Sequence, residues 1–114
     1  MSVTATVRDS GGVAILDLSG RITLGEGSAI LRSSVKDLVD GGRKKILVNL
    51  GDVSYIDSSG LAELAGAYVT VSNGGGQLKL LRPQPRLKDL LEVTHLHTLF
   101  NTFDEESTAV SSFG

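Results

Sequence analysis

The sequence predicts an α/β fold: a mixed β-sheet with an N-terminal antiparallel hairpin, followed by β-α-β units, with helices packed on the sheet. Three observations predict it. Two short segments of strand character, 3–8 and 13–18, flank a glycine turn. Ile46-Leu47-Val48-Asn49-Leu50 is apolar at nearly every position, as expected of a strand covered on both faces. Between that strand and a second apolar run at 77–81 lies a helical pattern, the layout of a right-handed crossover joining parallel strands.

The elements follow in order. Val3, Ala5 and Val7 alternate with Thr4, Thr6 and Arg8, the period of a half-buried strand. Asp9-Ser10-Gly11-Gly12 is a turn cluster. Residues 13–18 form the second strand, ended by Ser19-Gly20, and the short connection predicts a hairpin. After an irregular stretch, residues 27–41 place Ile30, Leu31, Ser34, Val35, Leu38 and Val39 on one helical stripe, with Gly41-Gly42 as the stop. The strand at 44–50 leads into a loop, 51–56, and then a helix over 58–73 with Leu61, Leu64, Ala65, Tyr68 and Val69 inward. Asn73-Gly74-Gly75-Gly76 ends that helix. The strand at 77–81 follows, and Pro85 opens a helix that carries Leu87, Leu90 and Leu91. Residues 99–103 read as a short last strand, and Asp104 as the cap of a last helix with Glu105 and Glu106 in its first turn.

Composition narrows the function. The 114 residues are expected to form one domain, 1–114. Eleven basic against thirteen acidic residues leave a formal charge of −2, so neither nucleic acid nor a membrane is an expected partner. Aromatics are 4% with no Trp, so the core must be aliphatic. Without cysteine there are no disulfides, thiolate catalysis or cysteine-ligated metals, which suggests a cytoplasmic protein. The start of the chain does not read as a signal peptide, and no run reaches the ~20 apolar residues of a membrane span.

The chemistry-bearing residues gather at Asp57-Ser58-Ser59-Gly60, where a buried strand hands over to a helix. In the simpler reading Asp and Ser only cap the helix, and Gly60 lets it pack against the sheet. In the functional reading, two hydroxyls stand at a helix N-terminus, where a dianion gains from free N–H groups, beside a carboxylate that an added phosphate would oppose. That suits a phosphorylation switch better than a permanent phosphate or nucleotide cradle, which Asp57 would repel. A hydrolase elbow requires Gly-x-Ser-x-Gly, and Ile56 stands at the first glycine. A receiver-domain phosphoacceptor at Asp57 would need an acidic pair after the first strand and a late lysine. Asp9 has no acidic neighbour, and Arg82-Pro83 stands where the lysine would be. His95 and His97 are two apart, not the four of a helical metal pair. Arg43-Lys44-Lys45 reads as a solvated charge run, and Asn73-Gly74-Gly75-Gly76 as a turn lacking the phosphate-loop Lys.

These residues resemble the STAS domains, specifically the small free-standing anti-sigma factor antagonists of bacteria, over nearly the whole chain. Leu18-Ser19-Gly20-Arg21-Ile22 is similar to the end of the family's second strand. The run from Ile46 through Asp52-Val53-Ser54-Tyr55-Ile56-Asp57-Ser58-Ser59-Gly60-Leu61 is similar to its signature. Gly75-Gly76-Gln77-Leu78, Arg86 to Leu91, Thr94, Leu96 and Phe100 fit its C-terminal half. The resemblance implies the STAS fold and a cytoplasmic bacterial regulator of transcription that is not an enzyme and uses no cofactor or metal. The unphosphorylated domain would bind an anti-sigma factor, a serine kinase of the histidine-kinase-like ATPase fold, and release a sigma factor. That kinase would phosphorylate Ser58, the first hydroxyl after Asp57, and end the complex; a PP2C-type phosphatase would restore it. Asp57, Ser59, Gly60, Leu61 and Tyr55 would form the phosphosite environment and partner surface. A monomer or weak dimer is implied. The family also includes scaffold subunits of multi-protein stress-signalling assemblies, the alternative reading. Thr23-Leu24-Gly25-Glu26-Gly27-Ser28 departs from the pattern, being glycine-rich where many antagonists carry an acidic, more helix-ready start to the first helix.

Overall fold

Strands that are apolar on both faces need cover on both faces, and they occupy the middle of the sheet. A computed structural model describes residues 3–114. Among these described residues the sheet has five strands in the order β1 (Thr4–Ser10), β2 (Val13–Ile22), β3 (Lys45–Ile56), β4 (Gln77–Leu81), β5 (Thr102–Phe103). The hairpin pair β1–β2 is antiparallel and the remaining pairs are parallel, which is the predicted mixed α/β architecture. Helices α1 (Glu26–Asp40), α2 (Ser58–Asn73) and α3 (Pro85–Val93) pack on one face, and the short α4 (Glu106–Ser111) on the other.

The unbroken apolar run of β3 is divided between the two faces. Ile46, Val48 and Leu50 join the large cluster under α1 and α2, with Leu16, Leu31 and Leu64. Leu47 turns the other way and, with Val13, Ile15 and Leu81, packs on Ala109 and Phe113. Each fully buried Leu or Ile contributes about 1.5–3 kcal/mol of transfer free energy. Asn49 breaks the run without leaving its amide unpaired. It donates to Asp17 Oδ1 at 2.8 Å and accepts from the Gly51 amide at 3.1 Å. Lys79, 9% exposed, is also satisfied: its ammonium donates to Ser112 O (2.9 Å) and Oγ (3.0 Å) and lies 4.7 Å from the Phe113 ring centroid. A buried charge is tolerated when so partnered, and this one fastens the C-terminal segment over the second face.

Two strands run further than the sequence predicts. β2 does not stop at Ser19-Gly20, and residues 51–56 are strand, not loop. Ser19 pairs with Asp52, Gly20 with Val53, Arg21 with Tyr55 and Ile22 with Ile56, through two register shifts. Such irregularities interrupt the two-residue alternation that marks a strand in sequence. In α2, Leu61 and Leu64 set the phase, so Ala67 and Val71 are buried while Val69 is 51% exposed. In β1 the alternation overstates burial, because this is an edge strand: Val7 is 49% exposed. The expected strand at 99–103 shortens to β5, preceded by a 3₁₀ turn at Leu96–Thr98. Asp104 does not cap α4. Glu105 holds that position without a side-chain bond, and Glu106 takes a bidentate pair from Arg8 at 2.6 and 2.9 Å.

Gly66 yields a prediction. It lies inside α2, and a Cβ built there meets nothing within 4 Å. Alanine is preferred over glycine in a helix interior by about 1 kcal/mol. Gly66→Ala is therefore expected to stabilise the fold by about 0.5–1 kcal/mol in urea unfolding. An unchanged or lower midpoint contradicts this account of the helix.

Candidate functional site

The site lies beyond the C-terminal ends of the parallel strands, where ligands and partners of open α/β sheets gather. β3 ends on buried Ile56, α2 begins at Ser58, and Asp57 alone makes the hand-over. Asp57 is extended (φ −102°, ψ −174°), the backbone of an N-cap residue. One carboxylate oxygen accepts from the Gly60 amide at 2.9 Å, closing the first turn of α2. The other accepts from the Leu24 amide at 3.3 Å, in the β2–α1 connection. The Asp57 amide donates to Ile22 O at 3.3 Å. One residue thus ties together the ends of β2 and β3 and the start of α2.

Two close approaches hold this arrangement. A Cβ on Gly60 would lie 2.3 Å from Ile22 O and 2.7 Å from Ile56 Cγ1, so only glycine lets α2 cross the sheet here. At Gly27 in α1 a Cβ would lie 2.5 Å from Arg21 O. The glycine-rich start of α1 is therefore a packing device, and Ser28 anchors it with its amide (3.1 Å) and hydroxyl (2.9 Å), both donating to Thr23 O.

Ser58 is exposed on the first turn of α2, and its hydroxyl makes no hydrogen bond among the described residues. Ser59 beside it is half-buried. Gly60 and Leu61 are buried and shape the site from beneath, offering no surface to a partner. Tyr55 is half-buried, with the guanidinium carbons of Arg21 and Arg86 4.7 and 4.9 Å from its ring centroid. The sequence reading missed Arg21 and Arg86 beside Tyr55, and marked Leu24 only as part of the segment 23–28. Leu24 is 79% exposed at the lip of the site. An apolar residue between Thr23 and Gly25 was a signal for it. The arginines carried no signal until the β2–β3 register placed Arg21 opposite Tyr55.

The other candidates lie elsewhere. His95 sits in the left-handed region at φ 61° before the 3₁₀ turn, and His97 lies in that turn. Arg43 pairs with Asp9 at 2.5 Å, and the Lys44 ammonium donates to Gly74 O. Among the described residues, no group of three metal-ligating side chains assembles and no helix is long and apolar enough to cross a membrane.

The Asp57 carboxyl is held below its ordinary value, first by the Gly60 amide and, more weakly, by the Leu24 amide, which bind the ionised form. A lowered folded-state value means that ionised Asp57 stabilises the fold above the ordinary aspartate value of 3.8, and that this is lost as pH falls through the lower value. Asp57→Asn removes the titration. In urea unfolding from neutral pH to below 3.8, the variant is expected to lose less stability on acidification than the parent. Parallel acid limbs in the two proteins contradict the clasp.

An exposed hydroxyl with no base bonded to it, on a rigid strand–helix junction beside a carboxylate, is suited to being modified. It lacks the partner that activates a serine nucleophile. A family model described as STAS domain matches residues 4–109. The anti-sigma-B factor antagonist of Bacillus subtilis (strain 168) is 29% identical over 101 residues, covering 89% of this chain and 91% of that protein. The crystal structure of a proposed anti-sigma factor antagonist from Thermotoga maritima superposes with a TM-score of 0.87 at 24% identity, over 96% of this chain and 93% of that one. The Bacillus antagonist SpoIIAA has the same fold in two forms. The unphosphorylated form gives a TM-score of 0.73 at 16% identity, over 96% of each chain. The phosphorylated form gives 0.74 at 18%, over 96% and 98%.

Proposed function

The chain belongs to the STAS domain family, and from that premise we propose that it is an anti-sigma factor antagonist switched by phosphorylation of Ser58. Unphosphorylated, it binds an anti-sigma factor that is also its serine kinase, of the histidine-kinase-like ATPase fold, and a sigma factor is released. Phosphorylated, it leaves the complex, and a PP2C-type phosphatase resets it. The observation that carries this reading is the exposed Ser58 hydroxyl on the first turn of α2, next to a carboxylate already committed to the Gly60 and Leu24 amides. The names of the relatives support the antagonist role, and the phosphorylated form of SpoIIAA supports modification as its switch.

The chemistry divides between two proteins. This chain supplies the hydroxyl; the kinase supplies ATP, Mg²⁺ and the group that accepts the hydroxyl proton. A phosphoserine carries about −1.5 to −2 charge at pH 7. It is welcome at a helix N-terminus in solution but repels Asp57 when the two are buried together against a partner. No large conformational change is then required: charge at the contact suffices to end the complex. The test is displacement. With a preformed complex of anti-sigma and sigma factor from the same organism, the unphosphorylated chain should free the sigma factor near equimolar ratio. If the sigma factor stays bound at excess antagonist, the antagonist reading fails. A stable large oligomer of this chain alone in light scattering would favour the scaffold role instead.

A further inference from the structure

We infer that Arg21, Tyr55 and Arg86 form a docking site for an acidic protein segment, whose carboxylates the two guanidiniums take. Arg21 approaches from β2, where it stands opposite Tyr55 in the parallel ladder, with its guanidinium carbon 4.7 Å from the ring centroid. Arg86 approaches from the first turn of α3, at 4.9 Å, with one guanidinium nitrogen 3.5 Å from the Tyr55 hydroxyl. Both arginines are exposed. Neither forms an ion pair among the described residues, whereas Arg8, Arg32 and Arg43 each have a carboxylate partner.

Two like charges gathered on one ring repel each other, and the negative face of the ring offsets only part of that. An anion between the two guanidiniums would offset the rest. Each guanidinium carries five N–H donors in a planar fork that carboxylates fit bidentately, and Arg86 directs one of its nitrogens at the Tyr55 hydroxyl, 3.5 Å away. The patch borders a shallow cleft floored by Leu50, Val53, Ile56 and Leu87. An aromatic ring with flanking arginines is also the composition enriched at interface hot spots. The test below uses neither a kinase nor Ser58, so its failure and the failure of the phosphorylation switch are distinguishable.

The test uses the whole chain and a blocked peptide of sequence Glu-Ala-Glu-Ala-Glu, titrated while the arginine Nε–H and Tyr55 ring signals are followed by NMR. The Arg21, Arg86 and Tyr55 signals should shift saturably, the Gln-Ala-Gln-Ala-Gln analogue should leave them in place, and added salt should weaken the effect. The exposed double substitution Arg21→Gln with Arg86→Gln should lower affinity by at least about tenfold, while Arg43→Gln should not. Equal shifts with the uncharged analogue, shifts spread over all basic side chains, or full affinity in the double variant overturn the proposal. So does tighter binding of inorganic phosphate or of a DNA duplex at these residues, which would make the site one for phosphates. The wild-type comparison of the two peptides decides even if the double variant is unstable.

Discussion

Ser58→Glu is expected to weaken binding of the anti-sigma partner by at least about tenfold, the equivalent of 1.4 kcal/mol, while Ser58→Ala binds as tightly as the parent. The glutamate places a fixed negative charge on the first turn of α2, beside Asp57. That carboxylate is already ionised and held by two backbone amides, so it cannot turn away without opening the cap of the helix. Two carboxylates brought together into a desolvated contact repel more strongly than in water, because the screening dielectric is removed. Alanine removes only an exposed hydroxyl that is bonded to nothing among the described residues. The pair of variants separates charge from shape. Isothermal titration in the presence of a nucleotide that cannot transfer phosphate keeps the parent unmodified during the comparison. Equal binding by Ser58→Glu and the parent sinks the electrostatic switch, even where antagonism itself is confirmed.

Gly60→Ala carries the largest expected stability loss, about 3 kcal/mol. The added methyl would lie 2.3 Å from Ile22 O and 3.0 Å from Ile22 Cγ2, so the start of α2 must lift off the sheet. The Asp57 cap and the Asp57 amide bond to Ile22 both span that contact. For a domain of this size the loss corresponds to a thermal midpoint lower by roughly 10–20 °C. Calorimetry of Gly60→Ala beside Gly66→Ala makes the point within one helix. The same substitution destabilises where the glycine touches backbone and stabilises where it faces open space. A change of less than about 1 kcal/mol at Gly60 contradicts the close approach.

Some of this molecule is legible in its sequence for simple reasons. Strand β3 declares itself because Ile46, Leu47, Val48 and Leu50 must be covered on both faces. Helix α2 begins at its expected residue, Ser58, because Asp57 is a strong cap and its side chain makes the bond that a cap makes. The second half of the β2–β3 ladder is illegible because its register shifts destroy the alternation, and Ser19, Gly20 and Gly51 have loop character when taken singly. That loss hid Arg21 opposite Tyr55, and with it the arginine pair. The end of the chain misled for a different reason. Asp104 is a good cap by type, but its carboxylate lies 3.8 Å from the Lys88 ammonium and α4 starts one residue later than that cap would place it, at Glu106, which pairs with Arg8. Chain order alone places Ser58 directly after the cap. Its exposure, and the burial of Gly60 and Leu61, required the packing of α2 on the sheet.

The central claim is that Ser58 is the residue on which the switch acts. Its most direct measurement is mass spectrometric mapping of this chain after incubation with its anti-sigma factor, ATP and Mg²⁺, with Ser58→Ala and Ser59→Ala in parallel. The account predicts one phosphate, on Ser58, in the parent and in Ser59→Ala, and none in Ser58→Ala. A phosphate on Ser59 or elsewhere, or full incorporation in Ser58→Ala, would contradict it.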